Sequence, residues 1–177
     1  PRLTQLAQPV VQFLAAFPAN LLFPLAVGVI VRYDLNTEVW LSPLMILGAQ
    51  WYILFNVIAG ASAIPADLRD VSANLGLRGR RWWQRLALPA VFPTFVTGAI
   101  TASGGAWNAS IVAEVIYWGD QRLEATGLGT YIVSATEAGD FPRIVLGVAV
   151  MSLYVVVINR LFWRPLYDRA ERRFRMG

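Results

Sequence analysis

Charged residues cut the chain into four long uncharged runs: Leu3 to Val31, Val39 to Ala66, Leu86 to Ala113 and Ile144 to Asn159. Crossing ~30 Å of hydrocarbon takes roughly 20 apolar residues at ~1.5 Å per residue. The first three runs are long enough to cross with tilt or with re-entrant portions. The fourth holds 16 residues between Arg143 and Arg160. Arginines at helix ends snorkel to the interfaces, so its usable length runs from about Phe141 to Trp163. The pattern predicts an all-α polytopic membrane protein with four transmembrane helices, over about residues 10–31, 40–61, 87–110 and 142–163.

The segments between the runs carry shorter patterns. Leading into and along residues 65–85, Ile64, Leu68, Val71 and Leu75 recur at helical spacing and form one apolar stripe. Pro65 suits a first helical turn, Asp67 complements the helix N-terminus, and Gly76 supplies a left-handed stop. A second helix begins near Gly79 and re-enters the membrane with Trp82 and Trp83 at interfacial depth. Residues 120–140 are too polar to cross, yet Leu128, Tyr131, Ile132 and Ala135 predict a short surface helix. That face fits either a docking protein or lipid packing. In the tail, residues 164–177, Trp163, Leu166, Tyr167, Ala170 and Phe174 form one face and arginines the other, which predicts an interfacial anchor on anionic membrane lipids.

Prolines fall inside the runs, at Pro18, Pro24, Pro43, Pro89 and Pro93. Neighbouring helices can satisfy the carbonyls they free, so kinked spans are expected. A broken helix at Pro18-Ala19-Asn20, with Asn20 lining a path, is the sharper alternative.

Composition agrees with a membrane setting: of 177 residues, 56% are hydrophobic and only 15% charged, with a mean hydropathy of +0.51. Soluble domains carry about 25% charged residues. Cysteine and histidine are absent, which excludes disulfide frameworks, Ser-His-Asp triads and the common zinc sites. No metal or cofactor site is expected. The net charge of +4 does not signal nucleic-acid binding, because the arginines punctuate apolar runs instead of lining a polar surface. All fifteen basic residues are arginine, and twelve lie at Arg2, in Asp67–Arg85 or in Arg160–Gly177. The other side holds Arg32, Arg122 and Arg143 with seven acids. The positive-inside rule places both termini and the Asp67–Arg85 loop in the cytoplasm.

The loop also carries a spaced motif. Asp70-Val71-Ser72 is followed after three residues by Gly76, and after nine more by Leu86, Leu88 and Pro89. This resembles the inner-membrane permease subunits of bacterial binding-protein-dependent ABC importers, whose signature is Glu-Ala-Ala, three residues, Gly, nine residues, Ile-x-Leu-Pro. The spacing matches throughout, with Asp70 in place of the family's glutamate, Val71-Ser72 in place of its two alanines and Leu86 in place of its isoleucine. The resemblance implies that Asp67, Asp70, Val71, Ser72, Gly76, Leu86, Leu88 and Pro89 serve a coupling helix that docks on a cytoplasmic ABC ATPase. Gly127-Leu-Gly-Thr-Tyr-Ile-Val, Gly139-Asp-Phe-Pro and Asn159-Arg-Leu-Phe-Trp-Arg look like the nitrate, sulfonate and taurine branch, most like the second half of its tandem-fused permeases. That implies one partial transmembrane domain over residues 1–177, two further spans ahead of Pro1, a second permease half or subunit, and an extracytoplasmic solute-binding protein. It places the chain in a bacterial inner membrane, with a small oxoanion or sulfonate as solute.

Candidate path residues follow from polarity inside the spans. Gly98, Ala102 and Ala106 recur every fourth residue, which permits close helix packing. Alternatively Thr101, Ser103 and Asn108 face a pathway, where uncharged donors could pass an anion without trapping it. Asn20 and Glu114 complete the candidate set, Glu114 as an interface residue, a gate or a docking contact. The chain has no Gly-rich phosphate loop, so ATP hydrolysis is expected on a partner subunit and the chain is not read as an enzyme. A passive channel or scaffold without an ATPase is the alternative, and it leaves the motif loop unexplained.

Overall fold

The computed structural model describes residues 19–174 together with Pro9, Gln12 and Phe13. After a 3-10 turn at Ala19–Leu22 the elements are α1 (Phe23–Arg32), α2 (Thr37–Trp40), α3 (Ser42–Ser62), α4 (Ala66–Asn74), α5 (Gly79–Trp82), α6 (Leu88–Ala113), β1 (Val115–Trp118), β2 (Gln121–Glu124), α7 (Leu128–Glu137), α8 (Phe141–Ile158) and α9 (Arg164–Phe174). Among the described residues, three helical stretches are long and apolar enough to cross a membrane: Thr37–Ser62, Gly79–Ala113 and Phe141–Phe174. Phe23–Arg32 is a shorter apolar helix, and Pro18 with most of the run before it lies outside the described residues.

The prolines largely begin helices. Pro24 lies in the first turn of α1, Pro43 is the second residue of α3, and only Pro93 sits inside a helix, α6. A proline in a first turn forfeits a hydrogen bond that the helix would not have made. Two others follow wide π-turns, Trp83–Ala87 before Pro89 and Asn159–Trp163 before Pro165. In each, the residue preceding proline donates its N–H five residues back, Leu88 to the Trp83 carbonyl and Arg164 to the Asn159 carbonyl. The proline ring would crowd the carbonyl four residues back, and the widened turn relieves that clash without ending the helix.

The chain forms two compact units, one from Pro1–Trp51 and Ala106–Val148, the other from Tyr52–Gly105 and Ala149–Gly177. The core of the first is Phe23, Ile30, Leu41, Leu44, Ala113 and Ala125. It includes the one departure from an all-helical reading, an antiparallel hairpin in which Val115 pairs with Glu124 and Trp118 with Gln121. The two-residue connection begins at Gly119, whose φ of +58° suits the first central position of a type II′ turn. Val115-Ile-Tyr-Trp is a β-branched and aromatic run of the kind that favours strands. The surface helix expected after it is α7, with Ile132 and Ala135 buried.

In the second unit, Ile64, Leu86 and Ala90 form a small core against which Leu68 and Trp82 pack. Gly98 lets α6 approach α3 closely, since a Cβ there would come within 2.9 Å of the Asn56 Cβ, the Ile53 Cα and the Tyr52 carbonyl oxygen. The tail helix α9 does not leave its apolar face wholly to lipid. Its apolar face packs within its own unit: Ala170 is fully buried and Phe174 sits edge-on to Phe92 at 5.5 Å. The arginines at 169, 172 and 173 stay exposed on the other side.

Candidate functional site

The motif loop folds as a short helix with a defined stop. α4 carries Asp67 in its first turn and ends at Leu75. Gly76 follows with φ +67°. The Leu77 N–H reaches the Ser72 carbonyl at 2.9 Å and the Gly76 N–H the Ala73 carbonyl at 3.0 Å. These are the paired 6→1 and 5→2 bonds of a Schellman terminus, which needs a left-handed residue where Gly76 stands.

The apolar stripe divides along its length. Leu68 packs against the cluster of Ile64, Leu86 and Ala90, whereas Val71 is 52% and Leu75 71% exposed. The first turn of α4 rests on the core and its last turn projects past it. Asp67 and Asp70 are exposed beside Val71. Ser72 is buried, its hydroxyl donating to the Arg69 carbonyl at 2.7 Å. Leu86 belongs to the core, Leu88 is exposed, and Pro89 is half-buried behind the π-turn. The motif residues therefore fall into a presenting set, Asp67, Asp70 and Val71, and a shaping set, Ser72, Gly76, Leu86 and Pro89.

The candidate path residues are dispersed. Asn20 lies in the 3-10 turn. Thr101 is exposed on α6 and its hydroxyl turns back to the Thr97 carbonyl at 3.1 Å. Thr97 and Gly104 are exposed on the same side of the helix, and so is Asn108 one turn further on. Ser103 faces elsewhere: its hydroxyl accepts the Trp163 indole N–H at 3.2 Å. Glu114 accepts the backbone N–H of Thr130, the third residue of α7, at 3.0 Å. A carboxylate there meets an orphan donor and the positive end of the helix dipole. Gly129 makes this approach possible, since a Cβ would come within 2.5 Å of the Ser110 carbonyl oxygen and 2.8 Å of Glu114 Oε2.

A network around the hairpin was not visible in the spacing of residues. Glu38 accepts the Thr126 N–H at 2.9 Å and its hydroxyl at 2.7 Å. Arg122 on β2 pairs with Glu124 and with Glu137 of α7, both at 3.0 Å, and donates to the Ser134 hydroxyl at 2.9 Å. The Tyr117 hydroxyl donates to Glu137 as well, and that hydrogen bond pushes the phenol above its ordinary value. Gly119-Asp120 was the available hairpin signal, and it stood in a segment read for helical spacing alone.

The sequence profile of the binding-protein-dependent transport system inner membrane components matches residues 1–176. The chain belongs to this family. This permease chain is 27% identical over 159 residues to the bicarbonate transport system permease protein CmpB of Synechococcus elongatus, covering 90% of the chain and 54% of that protein. It is 24% identical over 167 residues to the nitrate import permease protein NrtB of Synechocystis sp., covering 93% and 57%. It is also 24% identical over 134 residues to a putative aliphatic sulfonates transport permease protein, SsuC, of Bacillus subtilis, covering 71% and 46%. The permease chain thus spans about half the length of the curated relatives it matches. The three membrane-length helical stretches among the described residues agree with the family's inner-membrane setting, and the family is one of transport components, not enzymes.

Proposed function

We propose that this chain forms part of the solute pathway of an ATP-driven importer and couples to a separate ATPase through α4. The observation that carries the reading is a nine-residue helix, set between two membrane-length stretches, that presents Val71 and Leu75 past its own core and is stopped by a left-handed glycine. Exposed apolar side chains on a capped helix call for a cover of protein or lipid, and the motif in which Val71 stands favours a protein. Closure of a nucleotide-driven ATPase pair would push on this helix, and its packed first turn would pass the displacement through Leu68 and Leu86 to α6. The arginine distribution supports four spans, with both termini and α4 in the cytoplasm. A second permease half completes the pathway, and a binding protein delivers the solute on the opposite side. The names of the relatives favour a small oxygen-bearing anion, of the class of bicarbonate, nitrate or a sulfonate.

The absence of cysteine makes a direct test simple. Val71→Cys and Tyr117→Cys, each labelled with a photoreactive maleimide in membranes that also hold the cognate ATPase subunit, should differ. Crosslinks to the ATPase from position 71 and none from 117 are expected. Equal crosslinking from both positions, or none from 71, overturns the coupling assignment.

A further inference from the structure

The second unit contains an apolar cavity of about 310 Å³, a volume at the lower end of small-molecule sites. Its walls are Val57, Ala61 and Ile64 at the end of α3, with Trp82, Trp83 and Leu88 where the chain enters α6. The cavity thus lies at the ends of two membrane-length stretches, Thr37–Ser62 and Gly79–Ala113. Trp82 and Trp83 meet edge-to-face with ring centroids 5.3 Å apart, and tryptophan collects at the headgroup level of a bilayer.

A single charged side chain, Arg69, lines this cavity. It is held there by a hydrogen bond from its guanidinium to the Ala61 carbonyl at 3.3 Å, one of the carbonyls left over at the C-terminus of α3. That contact uses one of five guanidinium donors and leaves a planar fork suited to phosphate oxygens. Arg69 sits about 120–160° around α4 from Val71 and Leu75, so the cavity does not share the face assigned to the ATPase.

We propose that the cavity is a binding site for one anionic phospholipid, its acyl chain between Trp82, Trp83 and Leu88 and its phosphate on Arg69. An apolar slot at membrane depth with one guanidinium at its lining matches the two halves of that ligand. A zwitterionic lipid fits the slot equally well but carries an ammonium that gains nothing from the arginine. The inference needs only that the chain sits in a membrane, so it stands or falls independently of ATPase coupling.

Tryptophan fluorescence of the full chain in vesicles tests it, using phosphatidylcholine or phosphatidylglycerol with bromine low on the acyl chain as quencher. About fivefold stronger association of the brominated phosphatidylglycerol is expected, the factor one arginine contributes beside an anionic lipid. Arg69→Gln should bring the ratio to about one, and Arg69→Lys should restore most of it. Ala61→Phe, at an exposed lining position, should abolish the excess by filling the slot, while Arg85→Gln, which removes charge from the same loop outside the cavity, should leave it intact. Equal quenching by the two lipids, or an equal loss from Arg69→Gln and Arg85→Gln, overturns the site and leaves only general attraction of an arginine-rich loop to charged membranes.

Discussion

Three glycines of α6 allow the packing of this permease to be tested with one substitution. Gly→Ala in a helix interior gains up to about 1 kcal/mol in helix propensity, and that gain is common to positions 98, 104 and 105. Their surroundings differ. A Cβ at Gly98 meets backbone atoms of Ile53 and Tyr52 at 2.9 Å, one at Gly105 meets the Tyr52 ring edge at 2.9 Å, and one at Gly104 meets nothing within 4 Å. Carbon contacts settle at about 3.5–4.0 Å, so Gly98→Ala must part the two helix backbones by about 0.6–1 Å, whereas at Gly105 a side-chain ring can swing aside. Overpacking that the backbone must absorb costs about 1–3 kcal/mol. Because propensity cancels, Gly98→Ala should be about 1–3 kcal/mol less stable than Gly104→Ala, with Gly105→Ala between them. At about 2–4 °C per kcal/mol for a chain of this length, melting temperatures of the purified protein in detergent should separate by several degrees. Gly104→Ala should match or exceed the parent. If Gly98→Ala melts with Gly104→Ala, the close approach of α3 and α6 is wrong.

Other consequences follow from single features. Gly76→Ala and Gly76→Val should lower stability by about 1–2 kcal/mol through the left-handed φ alone, because nothing crowds the site, while Gly76→Asn should stay near the parent; melting temperatures report the effect on stability, and retention of the proposed ATPase partner on purification the effect on coupling. Glu114→Ala should free the first turn of α7, seen as faster amide hydrogen exchange at Thr130, and Glu114→Gln, which keeps an acceptor oxygen, should lose less. The raised Tyr117 phenol stabilises the hairpin fully below its ordinary value near pH 10 and loses that contribution as pH rises through the higher folded value. Hydrogen exchange in β1 should therefore quicken in strong alkali, and Tyr117→Phe should remove that pH dependence.

Much of the fold could be read from charge spacing because membrane crossing is set by length and polarity, which are local properties. The runs at 40–61, 87–110 and 142–163 lie within the observed helical stretches, and Gly76 stands where a left-handed stop was expected. The hairpin was lost because a four-residue strand carries little periodicity, so Val115–Trp118, between the third span and the segment 120–140, was assigned no element. The tail shows a different limit: an amphipathic face states that it is covered, not by what. Phe92 and lipid are equivalent to the sequence of α9, and only the fold chooses between them. The motif likewise gave spacing without roles. Leu86 and Leu88 look alike in sequence, yet one is core and the other surface.

The two signs of charge prove unequal in kind. Every acid of the acid-rich side has a local structural use. Glu38 and Glu114 hold the chain entering α7, Glu124 and Glu137 bind Arg122, and Asp140 accepts the Arg143 N–H at the start of α8. Asp34 takes a left-handed φ of +49°, which aspartate tolerates, and Asp120 completes the hairpin turn. The ion pairs among the described residues all involve Arg122 or Arg143, whereas the ten described arginines of the second unit form none. Those of the motif loop, at 69, 78, 80, 81 and 85, are exposed and open to anionic headgroups, the interaction on which the positive-inside rule and the proposed lipid site both draw. Five of the seven, Glu38, Glu114, Glu124, Glu137 and Asp140, are committed to an arginine or to a backbone N–H. Removing one, as in Glu38→Gln or Glu114→Gln, should therefore act on the order of α7 and not on the affinity for an anion, a distinction that hydrogen exchange and transport assays on the same variants can draw.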